Sequence, residues 1–124
     1  MPEDLIMPTL ILARILMGAL FVIGGMQHFT KLDPISGVIA ARGVPQPRLV
    51  LIAGSLFQIV LGATLALGLF ITPSALGLVL FTVVATVMLV NFWDKAEPER
   101  TGLFNVFLSN LAIIGGLLAL AASA

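Results

Sequence analysis

The stretch LVLIAGSLFQIVLGATLALGLF, residues 49–70, carries no charged side chain and only one strongly polar one, Gln58. An α-helix rises about 1.5 Å per residue, so about 20 apolar residues in a row cross a hydrocarbon core about 30 Å thick. A helix on the surface of a water-soluble bundle would show a polar face over about half its circumference, and this stretch shows none. A membrane strand would alternate polar and apolar residues, whereas this run is continuous and rich in Leu and Ala. It predicts a transmembrane helix.

Three further stretches read the same way on either side of it. One runs from Pro8 to Phe29, interrupted by Arg14; one follows the Thr72-Pro73 turn and covers 73–92; one covers 103–122. The predicted fold is all-α: an integral membrane bundle of four transmembrane helices, up-down-up-down, forming a single domain over residues 1–124. Composition agrees, because 60% of the chain is hydrophobic and only 10% is charged, against about a quarter charged in soluble domains.

The loops differ in kind. Residues 30–48 are punctuated by Pro34, Gly37, Gly43, Pro45 and Pro47 around an apolar middle, Ile35–Ala41, which reads as a short interfacial helix or a re-entrant segment. Residues 93–102 hold Asp94, Lys95, Glu97, Glu99 and Arg100 and belong in water. The loops at 30–48 and 93–102 carry Lys31, Arg42, Arg48, Lys95 and Arg100, while the other side carries only Arg14. The positive-inside rule therefore predicts cytoplasmic loops at 30–48 and 93–102, with both termini outside and Phe92 and Trp93 at the cytoplasmic interface.

Several chemistries are excluded. Cysteine is absent, so this chain offers no disulfide, thiolate or iron–sulfur ligand. Basic and acidic residues balance at six each, which leaves no basic tract for nucleic acid. The one histidine has no carboxylate or second histidine near it in sequence, so no metal site is expected. The acidic start and long first apolar run argue for a retained helix rather than a cleaved signal.

Polar groups inside hydrocarbon are costly and each asks for a partner. Arg14, Gly18, Phe21, Gly25 and His28 recur at helical spacing and share one stripe of the first span. Arg14 either snorkels along its stem to the headgroups or faces the bundle as a cation for an anionic group. Gln58, between Gly54 and Gly62, stands at a depth comparable to Asn110 and Thr86, with Thr82 nearby. These residues form either interhelical hydrogen bonds or the lining of a small pocket. A second polar group, Gln27, His28, Lys31, Asn91 and Asn105, collects at the cytoplasmic ends; His28 is either simply hydrated or hydrogen-bonded there, or the proton carrier if the protein has one. The candidate site residues are thus Arg14, His28, Gln58, Asn110, Thr86 and Asn91.

The order Arg14-x3-Gly18, Gly24-Gly25 followed by His28, Gly43-Val44-Pro45, Gly54-x3-Gln58-x3-Gly62, Leu67-Gly68-Leu69 and the run from Asn110 through Gly115-Gly116 resembles the DoxX family of small four-helix membrane proteins. The resemblance covers about residues 8–120. It implies a bacterial or archaeal plasma membrane and a link to redox or stress-response complexes, since the family includes a subunit of a thiosulfate:quinone oxidoreductase. It also implies departures, because many relatives carry Lys in place of His28 and Glu in place of Gln58.

Three functions are expected to compete. The first is a non-catalytic membrane subunit or adaptor of a redox or stress-response complex, with a protein partner. The second is a quinone-linked oxidoreductase subunit, with the headgroup held by a polar layer of Arg14, Gln58 and Asn110; no cofactor is firmly implied, and quinone is the one this reading would call for. The third is a small-solute carrier, which needs a continuous polar path. The glycine faces suit either internal packing or a homo-oligomer.

Overall fold

The computed structural model describes all residues, 1–124, and contains helices without strands. Five α-helices follow in order: α1 Glu3–His28, α2 Leu32–Ala41, α3 Pro47–Leu67, α4 Ile71–Leu89 and α5 Glu99–Ala122, with a 3₁₀ turn at Phe92–Asp94 before α5. The four long helices run from about 28 to about 39 Å at 1.5 Å per residue, enough to cross a bilayer.

Two boundaries differ from the sequence expectation for local reasons. α1 begins one turn before Pro8, which therefore lies within the helix; it forgoes only a bond to the carbonyl of Asp4, at a helix start where Glu3 and Asp4 complement the macrodipole. The turn expected at Thr72-Pro73 lies a few residues earlier. Gly68 and Phe70 adopt left-handed conformations (φ 76° and 50°), and the Leu69 N–H donates to the Thr64 carbonyl at 2.8 Å to close α3. Pro73 sits in the first turn of α4, where no N–H is needed.

The long helices close into a ring in which α1 packs on α3, α3 on α4, α4 on α5 and α5 back on α1. The α1–α3 seam is made by glycine. Gly18 and Gly62 approach so closely that a Cβ on Gly62 would lie 2.8 Å from the Gly18 carbonyl oxygen, and a Cβ on Gly25 would lie 3.1 Å from the Ser55 carbonyl oxygen. Those pairings also fix the two helices as antiparallel. Between α3 and α4, Phe57 stacks on Phe81 at 6.1 Å. An apolar core of Phe21, Leu65, Leu78, Leu117 and Leu120 fills the half of the bundle near the chain termini.

Around that core the usual distribution is inverted. Ser55, Gln58, Ser74, Thr82 and Thr86 are buried, while Leu16, Ile23, Leu56, Val60, Leu80, Val87 and Leu118 are exposed. Water would penalise such a surface and lipid does not. The chain is a multi-pass membrane protein.

The segment 32–41 forms a short helix, α2, packed on α3 and touching α4. Ile39, 2% exposed, is the side chain it drives inward. Arg48 and Asp33 pair at 2.6 Å at its base; in so exposed a position the pair contributes at most about 1 kcal/mol. At the same end, Phe92 packs edge-on to Trp93 and Phe104, with centroids 5.3 and 5.0 Å away. Aromatic clusters of this kind sit at membrane interfaces.

Candidate functional site

Gly24 on α1 and Gly54 on α3 leave space where side chains would otherwise meet. A cavity of about 400 Å³ opens there, walled by Phe21, Ile39, Leu51, Phe81 and Ile113, with His28, Ser55, Gln58, Thr82 and Asn110 as its polar members. This volume falls within the range of small-molecule sites, which pair apolar walls with a few placed polar groups.

Gln58 is the centre of this arrangement. Its Nε2 donates to the backbone carbonyl of Phe21 at 2.9 Å. Reversing the amide would set two acceptors against each other, so the orientation is decided. The other half of the amide, Oε1, is buried and has no hydrogen-bond donor. A buried acceptor left in that state costs about 1–3 kcal/mol.

His28 ends α1, and its Nδ1 lies 2.9 Å from the Ser55 hydroxyl. Ser55 is 1% exposed, so the contact ties the imidazole to α3 and leaves the second ring nitrogen free. On the opposite wall the Asn110 Nδ2 donates to the Thr86 hydroxyl at 2.8 Å, and that hydroxyl donates to the Thr82 carbonyl at 2.6 Å. Thr82 in turn donates to the Leu78 carbonyl at 2.7 Å. Asn110 and Thr86 thus link α5 to α4, with Asn110 reaching the cavity and Thr86 standing behind it.

Two of the candidates belong elsewhere. Asn91 is buried beneath the charged loop, where its Nδ2 donates to Asp94 at 3.4 Å. Arg42 reaches the same carboxylate at 3.4 Å and the Val87 carbonyl at 3.4 Å, so the trio closes the end of α4. Arg14 is placed against the other end of α3, where a Cβ on Gly68 would lie 3.4 Å from its Nη2. Gly68 is ten residues beyond Gln58, about 15 Å along the helix.

The expected polar layer of Arg14, Gln58 and Asn110 therefore does not form. Antiparallel pairing sets Gln58 opposite Phe21, two turns from Arg14. Arg14 instead lies at the C-terminal end of α3, where the helix dipole is negative and favours a cation. Its Nε is buried without a partner.

Sequence reasoning missed Ser55 and the role of Gly24. Ser55 lies three residues before Gln58 and so shares its stripe, which is the signal that could have found it. No three His, Cys, Asp or Glu side chains gather anywhere in the chain. The cavity can accept and orient; it holds an imidazole but neither a carboxylate nor a thiol.

The DoxX family matches residues 9–91, which takes in His28, Ser55, Gln58, Thr82 and Thr86 and stops short of Asn110. Inner membrane protein YphA of Escherichia coli (strain K12) is 27% identical over 113 residues, covering 90% of this chain and 80% of that protein. No solved structure matches the chain.

Proposed function

The chain belongs to the DoxX family, and on that footing we propose that it is a membrane subunit of a redox or stress-response complex that binds a small apolar molecule without transforming it alone. The observation that carries this reading is the cavity of about 400 Å³ between the helices, apolar except for His28, Ser55, Gln58, Thr82 and Asn110. A quinone headgroup is the ligand class implied by the family, and a quinone-linked oxidoreductase subunit is the second reading. It is favoured by an apolar wall beside an imidazole that could pass a proton.

The carrier reading has less support. Leu65, Leu78 and Leu117 are fully buried in the half of the bundle between this cavity and Arg14, which weighs against the continuous polar path that a carrier needs. The basic residues Lys31, Arg42, Arg48, Lys95 and Arg100 gather in the loops at one end, so we propose that this end and α2 face the cytoplasm. A relative described as an inner membrane protein supports a plasma (inner) membrane location.

Native mass spectrometry of the protein, extracted in mild detergent from its own membrane, tests both parts. A retained quinone or similar amphiphile supports the pocket, and a stoichiometric protein partner supports the subunit role. A bare monomer in every preparation would overturn the proposal.

A further inference from the structure

We infer that the cavity selects ligands that present a hydroxyl donor, phenols and hydroquinones among them, over the aprotic analogues of the same shape. The inference rests on the reading of the cavity as a ligand site and names the chemistry of what enters it. Gln58 is 6% exposed and lines the cavity, and its Oε1 has no donor. The amide cannot turn to relieve this, because Nε2 is held by the Phe21 carbonyl at 2.9 Å.

No donor of the protein reaches the Gln58 Oε1. The Thr82 hydroxyl is given to the Leu78 carbonyl, the Asn110 amide nitrogen to Thr86, and Ser55 shares its hydrogen bond with His28. A donor for Gln58 must then come from whatever occupies the cavity. A ligand O–H completes the acceptor. A ligand carbonyl or ether oxygen, placed beside Oε1, sets acceptor against acceptor and leaves both unsatisfied. For a quinone and its hydroquinone, the site holds the reduced form more tightly.

The experiment uses the full chain in lipid nanodiscs and two probes of nearly the same shape, 4-propylphenol and 1-fluoro-4-propylbenzene, in which fluorine takes the place of the hydroxyl without its proton. Saturation-transfer NMR, corrected against empty nanodiscs, reads their affinities. The phenol is expected to bind about tenfold more tightly, the worth of one hydrogen bond to a buried acceptor. Gln58→Leu should bring the two probes to parity. Gln58→Glu should keep the preference, since a neutral carboxyl can donate to the Phe21 carbonyl and accept through its other oxygen. Equal binding of both probes to the unaltered protein overturns the donor selectivity and leaves the cavity reading standing. Binding of neither probe above the empty-nanodisc level overturns the cavity reading itself. A phenol preference that survives Gln58→Leu assigns the selectivity to another group and overturns the inference.

Discussion

A Cβ placed on Gly24 would lie 2.9 Å from the Nε2 of Gln58, the atom that donates to the Phe21 carbonyl at 2.9 Å. A glycine on α1 is thus the condition for Gln58, the one strongly polar side chain in the interior of α3, to reach the α1 backbone. Gly24→Ala should push the amide aside and leave both it and its surroundings unsatisfied, a loss of about 1–3 kcal/mol. Gly115, where a Cβ meets nothing within 4 Å, provides the contrast. Gly115→Ala should be neutral or stabilising by up to about 1 kcal/mol, because Ala is the better helix former. Equilibrium unfolding in mixed detergent micelles compares the two; equal losses would show that the Gly24–Gln58 contact does not matter.

The α1–α3 seam is less forgiving. At Gly18 a Cβ would collide with the Gly62 carbonyl oxygen and lie 2.7 Å from the Ala66 Cβ, both groups that cannot swing away. Gly18→Ala should therefore cost about 1–3 kcal/mol through overpacking, and Gly18→Leu should splay the helices outright. Gly116 faces the flexible end of Met17 at 2.7 Å, and Gly116→Ala should be tolerated because that methyl can move. The same unfolding measurement should rank Gly18→Leu, Gly18→Ala and Gly116→Ala in that order of damage.

The fold was legible where hydropathy speaks, and the site only where a side chain is conspicuous. Four apolar runs, each too long for a buried core segment and too uniform for a soluble helix, determine four spans. Gln58 stood out because an amide in hydrocarbon needs partners. Ser55 did not, since a serine among Leu, Gly and Ala carries little hydropathy signal and its contact to His28 depends on which α1 residue meets which α3 residue. That register also decided Arg14. Depth along each span can be counted from sequence, but the α1–α3 offset set by the Gly18–Gly62 contact cannot, and it moved Arg14 to the level of Gly68.

Orientation can be read chemically, because the chain has no native cysteine to mask a single introduced one. With the loops at 30–48 and 93–102 inside, Lys31→Cys and Lys95→Cys should react with a membrane-impermeant maleimide only after the cells are opened. Ser123→Cys, beyond the last full turn of α5, should react in intact cells. The expected contrast is at least about tenfold, given that basic loops are held on the cytoplasmic face. The reverse pattern would invert the topology and place α2 and the C-terminal end of α1 outside.

Arg14 separates the ligand reading from a reading in which every intramembrane polar residue serves one path. Its guanidinium lies against Gly68 at the terminal end of α3, and the fully buried Leu65, Leu78 and Leu117 stand in the half of the bundle between that end and the cavity. Removing the charge by Arg14→Leu should leave affinity for 4-propylphenol within about twofold, because the change is about 15 Å along the helix from Gln58. Stability should fall by no more than about 1 kcal/mol, since the interaction lost is that of a partly exposed cation with a helix C-terminus. Isothermal titration in nanodiscs and unfolding in micelles measure the two quantities on the same variant. A tenfold loss of affinity with stability intact would couple Arg14 to the cavity and return it to the binding site, against the register that places it at the other end of the bundle.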